Sequence, residues 1–157
     1  MQRETSNYLK IKEQEEETMK VKEVMTRNVI TCIPEETVKD IAARMGKHDL
    51  GMLVVVEDNY SKILQGVVTD RDILRRVIGK DLDARRARVE DIMTKKIVSV
   101  FPNDSLTDAV RLMKVNGVKR LVVTDEANQL IGIISNSDIV KEFMEIRKKM
   151  VDLTIGF

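Results

Sequence analysis

The chain states one stretch of structure twice. Val21-Lys22-Glu23-Val24-Met25-Thr26 returns as Val89-Glu90-Asp91-Ile92-Met93-Thr94, 68 residues further on. The same offset carries Pro34 onto Pro102, Thr37 onto Ser105, Met45 onto Met113 and Leu53-Val54-Val55 onto Leu121-Val122-Val123. After a two-residue contraction, Gly66-Val67-Val68-Thr69-Asp70-Arg71-Asp72-Ile73 falls on Gly132-Ile133-Ile134-Ser135-Asn136-Ser137-Asp138-Ile139. The only two prolines are repeat partners. A unit this short cannot bury an apolar face alone. Tandem copies are therefore expected to form two half-domains that pack on each other and leave matched clefts at the seam. That arrangement suits binding better than chemistry.

Composition narrows the class. At 157 residues and 43% hydrophobic, the chain holds one ordinary domain or two half-domains with a shared core. With 3% aromatic residues and no Trp, that core is built from Val, Ile, Leu and Met. A net charge of +1 removes the global basic field that nucleic-acid binders use. The lone Cys32 excludes an intrachain disulfide and any multi-cysteine metal site, and reads as a small buried hydrophobe. No apolar run reaches the length of a membrane span, and the N-terminus is too charged for a signal peptide, so a cytoplasmic location is expected. Residues 71–96 hold nine basic side chains against five acidic ones, a solvated helix end and linker or a local positive potential beside an anionic partner.

Each repeat reads as β-α-β-β-α. Residues 28–33 and 96–101 are short, β-branched and closed by proline, as strands are. Val38, Ile41, Ala42 and Met45, like Leu106, Ala109, Val110 and Met113, have the i, i+3, i+4, i+7 spacing of a helix face. Thr37 with Asp40, and Ser105 with Asp108, have capping-box spacing at the two helix starts, and Gly46 and Gly117 are placed to end those helices. Hairpins follow, Met52–Val56 with Ile63–Val68 and Leu121–Thr124 with Leu130–Ile134, and second helices start at Asp70 and Asn136. The expected organisation is a charged tail or marginal helix over 1–20, repeats over 21–78 and 89–145, a linker over 79–88 with Gly79 as a helix stop, and a C-terminal helix extension over 146–157. The fold class is α/β (α+β).

The doubled pattern resembles the cystathionine-β-synthase, or CBS, domain: Val-x-Asp-Ile/Val-Met-Thr, a strand to proline, an amphipathic helix ending in Met, and Gly-h-h-Ser/Thr-x-x-Asp-Ile. The match covers about residues 21–143. The resemblance implies a CBS pair with pseudo-twofold symmetry between its repeats. It also implies binding of adenine nucleotides or related adenosyl compounds (AMP, ADP, ATP, S-adenosylmethionine or NAD) in the clefts between repeats. No resident cofactor is implied, and magnesium would enter only with nucleotide phosphates.

The resemblance assigns ribose contact to Asp72 and Asp138, each at a strand-to-helix turn. Thr69 and Ser135 supply short hydroxyls beside helix-start amides, where phosphate is favoured. The same Ser/Thr-x-x-Asp spacing also serves as a capping box. Lys119 and Arg120 match a phosphate-binding basic pair, whereas Gly51 and Met52 stand at those positions in the first repeat, where Arg71 or the basic linker would have to substitute. Thr31 and Ile33, and Ser99 and Phe101, would frame adenine just before each proline. His48, the only histidine, reads as a surface helix-end residue.

Two functions follow. One is a non-enzymatic energy or metabolite sensor, working as a homodimer on a protein partner that the sequence does not identify. The other is a ligand-independent dimerisation or adaptor module. Nucleic-acid binding and catalysis fit the composition poorly.

Overall fold

A computed structural model describes residues 19–155, with side chains described to residue 152. The element order is α1 (Val21–Val24), β1 (Thr31–Cys32), α2 (Val38–His48), β2 (Met52–Val56), β3 (Leu64–Thr69), α3 (Asp70–Arg76), a 3-10 turn (Ile78–Lys80), α4 (Val89–Ile92), β4 (Ser99–Val100), α5 (Leu106–Asn116), β5 (Arg120–Thr124), β6 (Leu130–Ser135) and α6 (Asn136–Ile155). The expected tail over 1–20 lies almost wholly outside the described residues.

Two three-stranded sheets form, ordered β1-β2-β3 and β4-β5-β6. In the first, β1 runs parallel to β2 with Thr31 opposite Val54, and β3 returns antiparallel with Met52 opposite Thr69. In the second, Ser99 lies opposite Val122, the same register carried forward by the duplication. β2 is buried from Leu53 to Val56, whereas β3 alternates buried and half-buried residues, as a strand covered unequally on its two faces should.

The chain folds as two compact units that do not coincide with the two sequence repeats. One comprises residues 28–97 with 124–131; the other takes residues 19–27, 98–123 and 132–155. The opening segment of each repeat therefore belongs to the unit built on the other. In the second-repeat unit, Val21 N–H donates to the Asp104 carbonyl and Lys22 N–H to the Pro102 carbonyl, both at 2.9 Å. In the first-repeat unit, Val89 donates to Glu36 and Glu90 to Pro34, both at 3.0 Å. Each proline lacks an N–H but offers its carbonyl to this junction. Beyond each short helix the chain joins a strand. Thr26 and Ile133 exchange two backbone bonds, and so do Thr94 and Val67.

These junctions need glycine. A Cβ at Gly132 would lie 2.8 Å from the Thr26 carbonyl oxygen and 2.9 Å from the Met25 sulfur. At Gly66 the corresponding distances, to Thr94 oxygen and Met93 sulfur, are both 3.0 Å. The first-repeat core gathers Cys32, Val38, Ile41, Met45, Leu53, Val55 and Val68 with Val89 and Ile92 of α4.

The caps form as the sequence predicts: Thr37 accepts from the Asp40 N–H and Ser105 from the Asp108 N–H. Three expectations are corrected. Gly46 does not end α2, which continues to His48 and stops at Asp49 in the left-handed region (φ 52°), a conformation that a short polar Asp tolerates. Gly79 is not the helix stop either; α3 ends at Arg76, and the left-handed residue is Asp81. The strands expected over 28–33 and 96–101 pair only at Thr31–Cys32 and Ser99–Val100, because β-branched composition favours extended backbone but a ladder also needs a partner. Gly117 does end α5, at φ 63°.

Gly132→Ala should destabilise the protein by about 1–3 kcal/mol, through forced contact with Thr26 backbone. Gly46→Ala, at an exposed helix position with open space around the new methyl, should stabilise by about 0.5–1 kcal/mol. Urea unfolding of the two variants beside the wild type checks both signs.

Candidate functional site

Each unit places one strand-to-helix turn of the Ser/Thr-x-x-Asp type at the end of its sheet, and the six candidate residues of each repeat fall within one unit. In the second-repeat unit, the Ser135 N–H and hydroxyl both donate to Asp138 Oδ2, at 2.9 and 2.5 Å. The Asp138 N–H returns a bond to Ser135 Oγ at 3.2 Å. This is a capping box, and it uses only one carboxylate oxygen. Asp138 Oδ1 takes no bond from any described residue. Ser137 adds a second hydroxyl, 2.9 Å from that of Ser135.

The basic pair is brought to the same place by backbone. The Asn136 N–H donates to the Lys119 carbonyl at 2.9 Å, which ties the start of α6 to the start of β5. Lys119 and Arg120 are exposed and form no ion pair among the described residues. Ser99 is exposed on β4, in register with Val122, two residues along β5 from Arg120. Phe101 is half exposed, and its N–H donates to the Asp104 carboxylate at 2.8 Å.

The first-repeat turn has the same frame with different side chains. The Thr69 N–H and hydroxyl donate to Asp72 Oδ2, both at 2.9 Å, and the Asp72 N–H donates to Thr69 Oγ1 at 3.1 Å. Asp70 N–H donates to the Gly51 carbonyl at 3.1 Å, the counterpart of the Asn136–Lys119 bond. Gly51 and Met52 bring no cation, and the nearest side chain to the open Gly51 position is the Asp70 carboxylate. Asp72 Oδ1 is ion-paired to Arg76 at 3.5 Å. On β1, the Thr31 carbonyl accepts from Arg44 at 2.7 Å, and Ile33 N–H donates to Glu36 at 2.9 Å.

Arg44, Glu36 and Arg76 were not among the candidates. The i, i+4 spacing of Asp72 and Arg76 was legible as a helix ion pair. The reach of Arg44 across to β1 had no signal, because it joins residues whose proximity only the packing of α2 on the sheet creates.

His48 is exposed at the end of α2. No group of three or more potential metal-ligating side chains occurs among the described residues. No described helix is long and apolar enough to cross a membrane. Cys32 is buried and free. Burial pushes its thiol up to about 12, the Glu36 carboxylate adds to the rise, and Arg44 partly offsets it.

With this geometry in place, comparison assigns the family. The CBS domain profile matches residues 21–79 and 89–145. The chain belongs to the CBS domain family and carries the domain twice. The CBS domain-containing protein YhcV of Bacillus subtilis is 37% identical over 119 residues, 76% of this chain and 81% of that protein. Protein MK0525 of Methanopyrus kandleri is 33% identical over 124 residues, 79% of this chain but 62% of that protein. This chain thus spans less than two thirds of the Methanopyrus relative. The CBS domain pair of protein MJ0100, solved with 5'-methylthioadenosine and S-adenosyl-L-methionine, has a TM-score of 0.71 and covers 82% of this chain and 98% of that one. At 21% identity that likeness is one of fold.

Cys32 should resist thiol reagents in the native state and react only as fast as the protein opens. The folded thiol keeps its proton to about pH 12, while an unfolded one ionises near ~8.5. Its contribution to stability is therefore complete below ~8.5 and lost as pH rises towards the folded value. Denaturant titrations between neutral and alkaline pH should show this decline in the wild type and a shallower one in Cys32→Val.

Proposed function

We propose that this CBS pair is a non-catalytic regulatory module that binds an adenine nucleotide or related adenosyl ligand and converts occupancy into a conformational change. The observation that carries the proposal is the second-repeat turn, where two cations without an ion pair among the described residues, two hydroxyls and a carboxylate oxygen that no described residue engages share one sheet end. Asp138 Oδ1 would accept from ribose hydroxyls. Arg120 would offer a planar fork to phosphate and Lys119 a point charge. Ser99 and Phe101 would supply the adenine wall. AMP, ADP and ATP fit this set, and S-adenosylmethionine or NAD share its ribose chemistry. The ligand shifts the protein only by its difference in affinity between two states.

Asp138→Ala should weaken nucleotide binding about 10- to 150-fold, the loss of charge-assisted bonds worth roughly 1.5–3 kcal/mol. Asp138→Asn should be milder. Arg120→Ala should weaken AMP, ADP and ATP and leave adenosine nearly unaffected. Calorimetric titration beside melting curves gives the decision. A lower melting temperature with unchanged affinity would reduce Asp138 to a helix cap.

A second reading, a ligand-independent dimerisation or adaptor module, draws on the outer helix faces. Leu74 and Ile78 in one unit, and Val140 and Met144 in the other, occupy repeat-related positions and are all more than half exposed. Such stripes suit a second copy of the chain, and closed twofold dimers are the commonest oligomers. We propose a homodimer under either reading. Light scattering at micromolar concentration should give twice 18.0 kDa, and a monomer mass would discard it. A nucleotide panel that leaves the melting temperature unmoved would favour the adaptor over the sensor.

A further inference from the structure

The duplication makes the two turns comparable residue by residue; besides exposed Arg71, which falls on Ser137, two arginines that bond across the first-repeat unit have no counterpart. Arg44 on α2 stands where α5 has Leu112, and Arg76 on α3 stands where α6 has Glu142. The Arg44 guanidinium donates to the Thr31 carbonyl and grips both oxygens of Glu36. Arg76 donates to the Ile92 carbonyl at 2.5 Å and pairs with Asp72 Oδ1, on a carboxylate whose side chain is only 14% exposed. At the first-repeat turn, the backbone acceptor on β1 and the second ribose-facing oxygen are therefore both engaged. At the second-repeat turn neither is: Leu112 has no donor, no described side chain donates to the Ser99 carbonyl, and Asp138 has the like-charged Glu142 one turn further on. The Phe101 N–H stays bonded to Asp104 just as the Ile33 N–H is to Glu36, so this backbone bond is common to both turns and the arginine contacts are not.

We infer that Arg44 and Arg76 are resident substitutes for ligand groups, so that the first-repeat seat is closed and structural and each chain takes one adenosyl ligand, at the second-repeat seat. The inference rests on the adenosyl-binding reading above. Arg44 stands in for the adenine amino group as donor to β1, and Arg76 for the ribose hydroxyls as donor to the aspartate. A ligand entering the first seat would have to displace a two-pronged, charge-assisted pair and leave the half-buried Glu36 carboxylate without its cation. The Glu36 hydrogen bond raises the Arg44 pKa further, so the guanidinium does not release the site by losing its proton. Gly51 and Met52 offer no charge to phosphate in return. Closure is thus energetic and depends on two named side chains.

The test is ligand stoichiometry, by calorimetric titration and native mass spectrometry of the full chain with AMP and with adenosine. The wild type should bind one ligand per chain, weakened at least about tenfold by Asp138→Ala. The double variant Arg44→Leu/Arg76→Gln gives the first seat the Leu of the second and frees Asp72; it should gain a second adenosine per chain while keeping the first. Should that variant not fold, Arg44→Gln/Arg76→Gln, which keeps polar side chains at both positions but removes both charges, should admit the second adenosine instead. Two ligands per wild-type chain, one ligand insensitive to Asp138→Ala, or folded arginine variants that stay at one would each overturn closure and leave adenosyl binding standing. A wild type that binds neither AMP nor adenosine removes the adenosyl reading, and closure with it.

Discussion

Everything in this molecule hangs on the close approach of a methionine-threonine segment to a glycine in a neighbouring strand. Met25-Thr26 lies on Gly132, and Met93-Thr94 lies on Gly66, at distances that a Cβ would violate or strain. The approach lets Thr26 pair with Ile133, and Thr94 with Val67, through two backbone bonds each. It also lets the short helix before each threonine bury its valine, Val21 or Val89, completely. Because each segment comes from the opposite repeat, neither repeat contains a complete unit in its own sequence.

The same economy governs the strand-to-helix turns. A capping box satisfies helix-start N–H groups that would otherwise lack partners, and it does so with one carboxylate oxygen. Folding and ligand contact therefore need not compete for the same atom, since Asp138 can hold its helix through Oδ2 and present Oδ1. In this light the two uses of Ser/Thr-x-x-Asp spacing, set against each other when only spacing is considered, are compatible. The Asn136–Lys119 backbone bond then fixes where the cations stand without spending their charge.

The repeats share a backbone and diverge in charge. The first turn carries Asp70, Arg71 and Asp72 with no cation at Gly51-Met52; the second carries Asn136, Ser137 and Asp138 with Lys119 and Arg120. Duplication thus supplied two copies of one frame, and substitution at a handful of positions gave the copies different electrostatics. The substitutions leave the common core of Val, Ile, Leu and Met undisturbed.

The amino-acid sequence alone determined the family, the doubled β-α-β-β-α order, the starts of α3 and α6, the caps at Thr37 and Ser105, and the absence of cations at Gly51-Met52. All of these are local or periodic, and the comparison of the two repeats makes each of them legible. Helix ends were less legible, because Asp49 and Asp81 took left-handed conformations that glycine was expected to occupy. Only the tertiary structure decided that the opening segments change units, that Arg44 reaches the Thr31 carbonyl, and that Arg76 engages the second oxygen of Asp72 while no described residue engages that of Asp138. Those outcomes depend on contacts between residues distant in the chain, whose geometry is set by how helices pack on sheets. Spacing along the sequence records a residue's neighbours on its own element, and it is silent about the element packed against it.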